Sequence, residues 1–343
     1  MERKEELTNR NRNILQVVVH HYIKTAKPVG SKIIAKDYDF KVSPATIRNV
    51  LSDLEKKGYL SHPHTSAGRI PTDRGYRFYV NSLMEVQRLT VDEMDRVQKE
   101  YRTKKRELDE IMRRTSHMLS AISNYAGFIL TPKLEKSIFK HIEMIPLEEK
   151  RLLVVLVTKA GIIKHKIITF QEELDYHIIE RISDMLNRKL SGVTFGQLKE
   201  KIVKASEEEL RDCPGRFESI RRFVRHIVEF YDDEIYVDNS PGIYDVYQDY
   251  AMIRAVFETV EEKKRIAEIL RHKIKEEGIK ILIGRESMCP EMEQCSVVSS
   301  TYKSDEHTVG VLGVIGPKRM EYPRMVALVD FVSQFLNRVL NRD

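Results

Sequence analysis

The sequence predicts an α+β chain of more than one domain, with a helix-turn-helix and a small β-hairpin at its amino end. Three observations lead there. Helical periodicity in the first quarter of the chain gives way to a polar stretch punctuated by Gly and Pro, "YLSHPHTSAGRIPT". Further on, strand-like apolar runs stand before and after a long helical region, the pattern expected of an insertion in a mixed α+β domain. The charge is uneven as well. Residues 1–88 hold 16 Lys and Arg against 9 Asp and Glu, a net of +7, whereas residues 89–343 hold 42 against 43.

The first helix spans about residues 10–25, where Ile14, Val18 and Tyr22 recur every four residues with Leu15 and Val19 beside them. "TAKPVG" breaks it, because Pro28 disfavours helix in the residue before it and Gly30 frees the backbone. Ser31 is placed to cap a short second helix reaching Tyr38, which would bury Ile33, Ile34 and Tyr38. The third helix restarts at Ser43 and Pro44, an N-cap followed by the residue best suited to the first helical position. Ile47, Val50, Leu51 and Leu54 then form one apolar stripe, and Gly58 is placed to end the helix.

The free face of that third helix carries Thr46, Arg48, Asn49, Ser52 and Lys56. Two short helices around a small turn, the second with polar donors outward, make a helix-turn-helix whose second helix fits a DNA major groove. Arg48 suits a guanine edge and Asn49 an adenine edge. The helix start at Ser43 to Ala45 offers free N–H groups to a phosphate. After it, Tyr59–Ser61 and Arg69–Pro71 read as two strands of a wing. His64, Thr65 and Ser66 lie toward its tip, where they and Arg69 can hold phosphates or reach along the minor groove. Thr72 caps a further helix in which Tyr76, Phe78, Tyr79 and Val80 supply packing surface. The competing reading of each polar residue alone is a solvated surface position. The arrangement as a whole, in a basic segment, points to double-stranded DNA.

In the body, residues 90–125 read as one charged connecting helix with Leu108, Ile111, Met112, Leu119 and Ile122 on its apolar side. "FKHIEMIPL", "RLLVVLVTKAG" and "IIKHKIITF" read as strands, with the run from Val154 to Val157 typical of a buried one and "KAG" as a hairpin turn. Helical patterns run from about 174 to 231, interrupted by a strand at "EIYVD" and resuming to about 277. "IKILIG", "CSVVSSTY" and "TVGVLGVIG" are three more strands, and residues 324–340 a last helix.

Length and composition bound the rest. The 343 residues suggest two or three domains at about 150 each. A hydrophobic share of 41% and a charged share of 32% allow real cores. No apolar run reaches the ~18 residues a span requires, and the charged start "MERKEELTNRNR" lacks an apolar signal core, so neither membrane insertion nor secretion is expected. Cys213, Cys289 and Cys295 do not make a disulfide framework, and a reducing cytoplasm fits them. Walker A and GxGxxG signatures are absent, no nucleophile–base set or paired carboxylates stand out, and no enzyme is expected. His20, His21, His62 and His64 lack the spacing of a metal site, so no metal and no cofactor are expected. Free thiols are the expected state of Cys289 and Cys295.

The stretch "SPATIRNVLSDLEKKGYLSHPHTSAGRIPTDRGYRFYV" closely resembles the winged-helix domain of the bacterial heat-inducible transcription repressors of the HrcA family, and "GVIGPKRMEYPRMVALVDFVSQFL" resembles that family's ending. The resemblance implies a winged helix at 1–88, a GAF-like α+β domain at 89–191 and 263–343, and a dimerising domain inserted at 192–262. It implies a homodimeric repressor of chaperonin and Hsp70-system operons, bound to an inverted-repeat operator, released on heat stress and modulated by the chaperonin. A repressor that uses the GAF-like domain to sense a metabolite is the alternative. The stretch "IYVDNSPGIYDVYQDY" departs from the Gly-Gly-Thr type turn more usual in the family after this strand.

Overall fold

The structure, a computed structural model, describes residues 7–38, 40, 42–63, 68–100, 108–131, 138–147, 150–159, 163–170, 176–194, 197, 201, 235–238, 260–273, 277–303 and 309–340. The head consists of α1 (Asn9–Thr25), α2 (Ser31–Asp37), α3 (Pro44–Lys56), β1 (Leu60–Ser61), β2 (Ile70–Pro71) and α4 (Asp73–Ser82). Ile14, Leu15, Val18 and Val19 of α1 are buried with Ile34, Ile47, Leu51, Leu54, Leu60 and Tyr76. Each such aliphatic side chain contributes roughly 1.5–3 kcal/mol by leaving water. Two expectations shift in α2. Gly30, not Ser31, occupies the N-cap, and Ile33 is 37% exposed while Ile34 is buried. Adjacent helical residues point about 100° apart, so a helix of two turns resting on one side buries only one of the pair.

Among the described residues the body holds two separate sheets. The larger has the antiparallel order β7-β3-β10-β9-β8, formed by β3 (Ala126–Leu130), β7 (Ile235–Asp238), β8 (Ile279–Ile283), β9 (Cys295–Lys303) and β10 (Val309–Pro317). Ile129, Val298, Leu312 and Val314 share a core with Met112, Leu119 and Ile122 of α6 (Leu108–Ser123) and with Val329 and Val332 of α9 (Tyr322–Leu340). Ala126, Phe128, Leu130, Val297, Val311 and Ile315 share the other core with Ile266, Ala267 and Leu270 of α8 (Val260–Lys273). The sheet is therefore covered on both faces, and every residue of β3 is buried. The single helix expected over 90–125 contains α5 (Val91–Glu100) and α6, with residues 101–107 between them outside the described set.

The smaller sheet runs β4-β5-β6, from β4 (Phe139–Leu147), β5 (Arg151–Thr158) and β6 (Ile163–Thr169). The sequence reading grouped these strands with the GAF-like portion. Among the described residues they pair with one another and not with the five-stranded sheet. In sequence they fall between β3 and β7, which are direct neighbours in that sheet. Ile142, Met144, Leu152, Val154, Leu156 and Ile168 are buried along with Ile179, Ile182, Met185, Leu186 and Leu190 of α7 (Tyr176–Leu190). Val155 and Val157 alternate out of that core and Ile145, Ile163 and Ile167 are exposed, so the run read as fully buried is buried on one face. Asn187 of α7 closes part of the sheet's edge. Its side-chain amide donates to the Ile142 carbonyl at 2.9 Å, and its side-chain carbonyl accepts from the Ile142 N–H at 2.8 Å. Most of the 192–262 segment, to which the dimerising insertion was assigned, lies outside the described residues.

Candidate nucleic-acid interface

The helix expected to meet DNA begins where its local chemistry says it should. Ser43 is extended (φ −66°, ψ 153°), and its hydroxyl accepts from the Thr46 N–H at 3.2 Å. Pro44 takes the first helical position. The hydroxyls of Ser43 and Thr46 lie 3.0 Å apart and share a hydrogen bond, so Thr46 belongs to the cap as well as to the surface. Ile47, Leu51 and Leu54 fix the buried side of α3. That leaves Ser43, Ala45, Arg48, Asn49 and Lys56 exposed, with Thr46 and Ser52 half-buried. Gly58, at φ +75°, turns the chain out of the helix in a conformation only glycine adopts without strain. At the other end of the head, Asn11 donates to Asp53 at 2.8 Å and ties the start of α1 to α3.

The wing stands on a fixed base. Its strands pair Leu60 with Pro71 and Ser61 with Ile70. Val29, in the turn between α1 and α2, adds a third layer through reciprocal N–H···O bonds with Arg69 at 2.9 Å each. The approach is so close that a Cβ on Gly68 would lie 2.5 Å from the Val29 carbonyl carbon. Thr72 then caps α4 by accepting from the Gly75 N–H at 3.2 Å, while its own hydroxyl donates to the Gly58 carbonyl at 2.6 Å. Arg74 lies over the Tyr59 ring, 4.6 Å from its centroid, and donates to the Lys57 carbonyl at 2.9 Å.

Arg69 has a partner that sequence reasoning missed. A guanidinium nitrogen lies 2.7 Å from Glu55 in the last turn of α3. The second Glu55 oxygen takes Nδ1 of His62, so one carboxylate holds residues on both arms of the wing. Burial alone would raise the Glu55 pKa. The hydrogen bond with His62 and the charge of Arg69 outweigh it and hold the carboxyl below its usual value. The clue available in sequence is that Glu55 and Asp53 are the only acids between Ser43 and Thr72, in a segment otherwise supplied with cations. Arg69 thus braces the wing against α3. His64, Thr65 and Ser66, assigned to the wing's DNA contacts, lie outside the described residues.

His62 is engaged with Glu55, and no group of three or more His, Cys, Asp or Glu gathers among the described residues. Cys289 and Cys295 are buried and outside any disulfide, and burial pushes the Cys289 thiol up, aided by its hydrogen bond to Glu291. No helix among the described residues is long and apolar enough to cross a membrane.

Two family models divide the chain between them. The one described as winged helix-turn-helix transcription repressor, HrcA DNA-binding, matches residues 6–85, and the one described as HrcA protein C terminal domain matches residues 109–326. Curated relatives agree over nearly the full length. The chain is 37% identical to the heat-inducible transcription repressor HrcA of Geobacter sulfurreducens over 98% of both chains. It is 36% identical to that of Pelotomaculum thermopropionicum, again over 98% of both. A crystal structure of a hypothetical protein shares 25% of its sequence at a TM-score of 0.60, covering 98% of this chain and 99% of that one. With a winged-helix domain at its amino end and an α+β domain after it, the chain belongs to the HrcA family of heat-inducible transcription repressors, a family of DNA-binding proteins and not of enzymes.

Proposed function

We propose that the chain represses heat-shock chaperone genes, the chaperonin and Hsp70-system operons, by binding an inverted-repeat operator as a homodimer in the cytoplasm. On heat stress it lets go, with the chaperonin as modulator. The observation that carries this reading is α3: a helix capped by Ser43 and started by Pro44, buried along Ile47, Leu51 and Leu54, with Arg48 and Asn49 exposed. That is the geometry in which an arginine meets a guanine edge and an asparagine an adenine edge in the major groove. Ser43, Ala45, Thr46, Ser52, Lys56, His64, Thr65, Ser66 and Arg69 make up the rest of the proposed surface and supply phosphate contacts that set register.

A two-fold operator calls for a two-fold protein. We assign the pairing of subunits to an insertion in a GAF-like domain, and draw its limits from sheet order. Adjacent β3 and β7 flank everything from 131 to 234, including the separate three-stranded sheet, so the insertion is proposed to occupy that interval. Footprinting of the purified chain on the chaperone promoters of its own genome, with sedimentation of the complex, tests the proposal. Protection of an inverted repeat by a dimer is the expected result. A monomer on a complete operator, or no protection, would overturn it.

A further inference from the structure

The last helix of the head is fastened to the body by a small set of charged groups. Asp73 and Arg77 stand one turn apart on α4, with Tyr76 beside them. Arg77 donates through Nε to Glu286 at 2.8 Å, and its Nη2 pairs with the other Glu286 oxygen. The same Nη2 lies 2.6 Å from the Ile281 carbonyl of β8. Glu286 is itself fixed, accepting from the Ile283 N–H at 2.9 Å. Asp73 accepts from Lys318 at 2.7 Å and from the Arg285 N–H at 3.4 Å. Gly284, at φ +54°, lets the carboxylate in: a Cβ there would lie 2.4 Å from the Asp73 oxygen. Between the two attachments, Tyr76 is buried with its ring centroid 6.0 Å from that of Tyr322. The Tyr322 hydroxyl is held by Ser296 at 2.8 Å and the Lys318 carbonyl at 2.7 Å.

One contact would let a helix pivot. Two attachments a turn apart, with a packed aromatic pair between them, fix both its roll and its tilt. The forked Arg77–Glu286 pair adds direction, because a guanidinium meets a carboxylate bidentately in one plane. The head is therefore mounted on the body at one angle. We propose that this α4 seam, with Arg77 and Asp73 as positioning residues, determines which half-site spacing the repressor accepts. In a dimer the body sets where the two heads stand, and the seam sets how each reading helix faces the duplex. Half-sites come into register about every 10–10.5 base pairs, so a head free to swing would tolerate spacings that a fixed head refuses. The inference rests on the dimeric reading above.

The test uses the full chain and duplexes carrying the footprinted operator, one set with a single half-site and one with the spacer lengthened or shortened a base pair at a time. Inserting two base pairs rotates one half-site by roughly 70° about the duplex axis. Wild type is expected to discriminate strongly against that change. Arg77→Ala and Glu286→Gln are expected to lose most of the discrimination while binding the single half-site as wild type does, and Arg77→Lys to recover part of it. If both variants keep the wild-type spacing profile, the seam does not set specificity. If they lose single-site and two-site binding equally, the seam only holds the fold together, and the proposal also falls. A wild type indifferent to spacing would overturn the dimeric reading and this inference together, which separates that failure from the other two.

Discussion

Glu55 shows how one acid can be useful in a basic surface. Placed in the last turn of α3, it draws in Arg69 and His62 and joins the wing to the helix it flanks. Arg69 is then largely neutralised before any phosphate arrives. Glu55→Gln should release that charge, and the slope of log affinity against log salt should steepen by up to about 0.9, one phosphate's worth on B-DNA. An unchanged slope would show that Arg69 stays committed to the protein. Arg48 has no such constraint and stands exposed on α3. Arg48→Ala should narrow the gap between operator and random duplex by about 1–3 kcal/mol, measured as competitive binding. Equal losses on both duplexes would make it a phosphate contact. The exposure of Arg48 and Asn49 was legible in the sequence because a helix stripe determines its own opposite face. Glu55 was not, because its partners come from a hairpin whose folding-back no local pattern specifies.

At the level of elements, α3 and β3 mark the two ends of legibility. Every signal that makes α3 is local: cap, proline, stripe and glycine stop all lie within sixteen residues of one another, from Ser43 to Gly58. β3 went unread. It is five residues long, buried on both faces, and follows α6 after only a short turn, so it shows neither alternation nor a marked boundary. Its fit depends on Gly127, where a Cβ would come within 2.2 Å of the Ser116 carbonyl oxygen and 2.6 Å of the Ser120 nitrogen. Both are helix backbone and cannot swing aside. Gly127→Ala should therefore push α6 off the sheet and destabilise the body by about 1–3 kcal/mol in a denaturant titration. Wild-type stability in that variant would contradict the packing described. That β4, β5 and β6 pair only with one another among the described residues was hidden for a related reason: a strand's composition announces that it will pair, not which sheet it will join.

Across the whole molecule, distant segments are joined by buried or half-buried charge. Besides the α4 seam, Arg324 of α9 donates to Glu93 of α5 through Nε at 3.0 Å and Nη2 at 2.9 Å, and to the Ile122 carbonyl at 2.9 Å. Burial alone would raise the Glu93 pKa, but the hydrogen bond from the Thr90 backbone and the Arg324 guanidinium hold it below its ordinary 4.5. A carboxylate whose pKa is lower folded than unfolded stabilises fully above its unfolded value, and that stability is lost as pH falls through the folded one. Wild type should thus exceed Glu93→Gln in melting temperature near neutral pH, and the difference should shrink below pH 4.5. A difference constant across that range would count against the pairing. Asn187, finally, has an effect beyond α7. By occupying both outward-facing backbone groups of Ile142 it leaves the rim of the small sheet without a run of vacant donors and acceptors there. A foreign strand finds the pairing groups of Ile142 already taken, which weakens that margin as a template for strand addition.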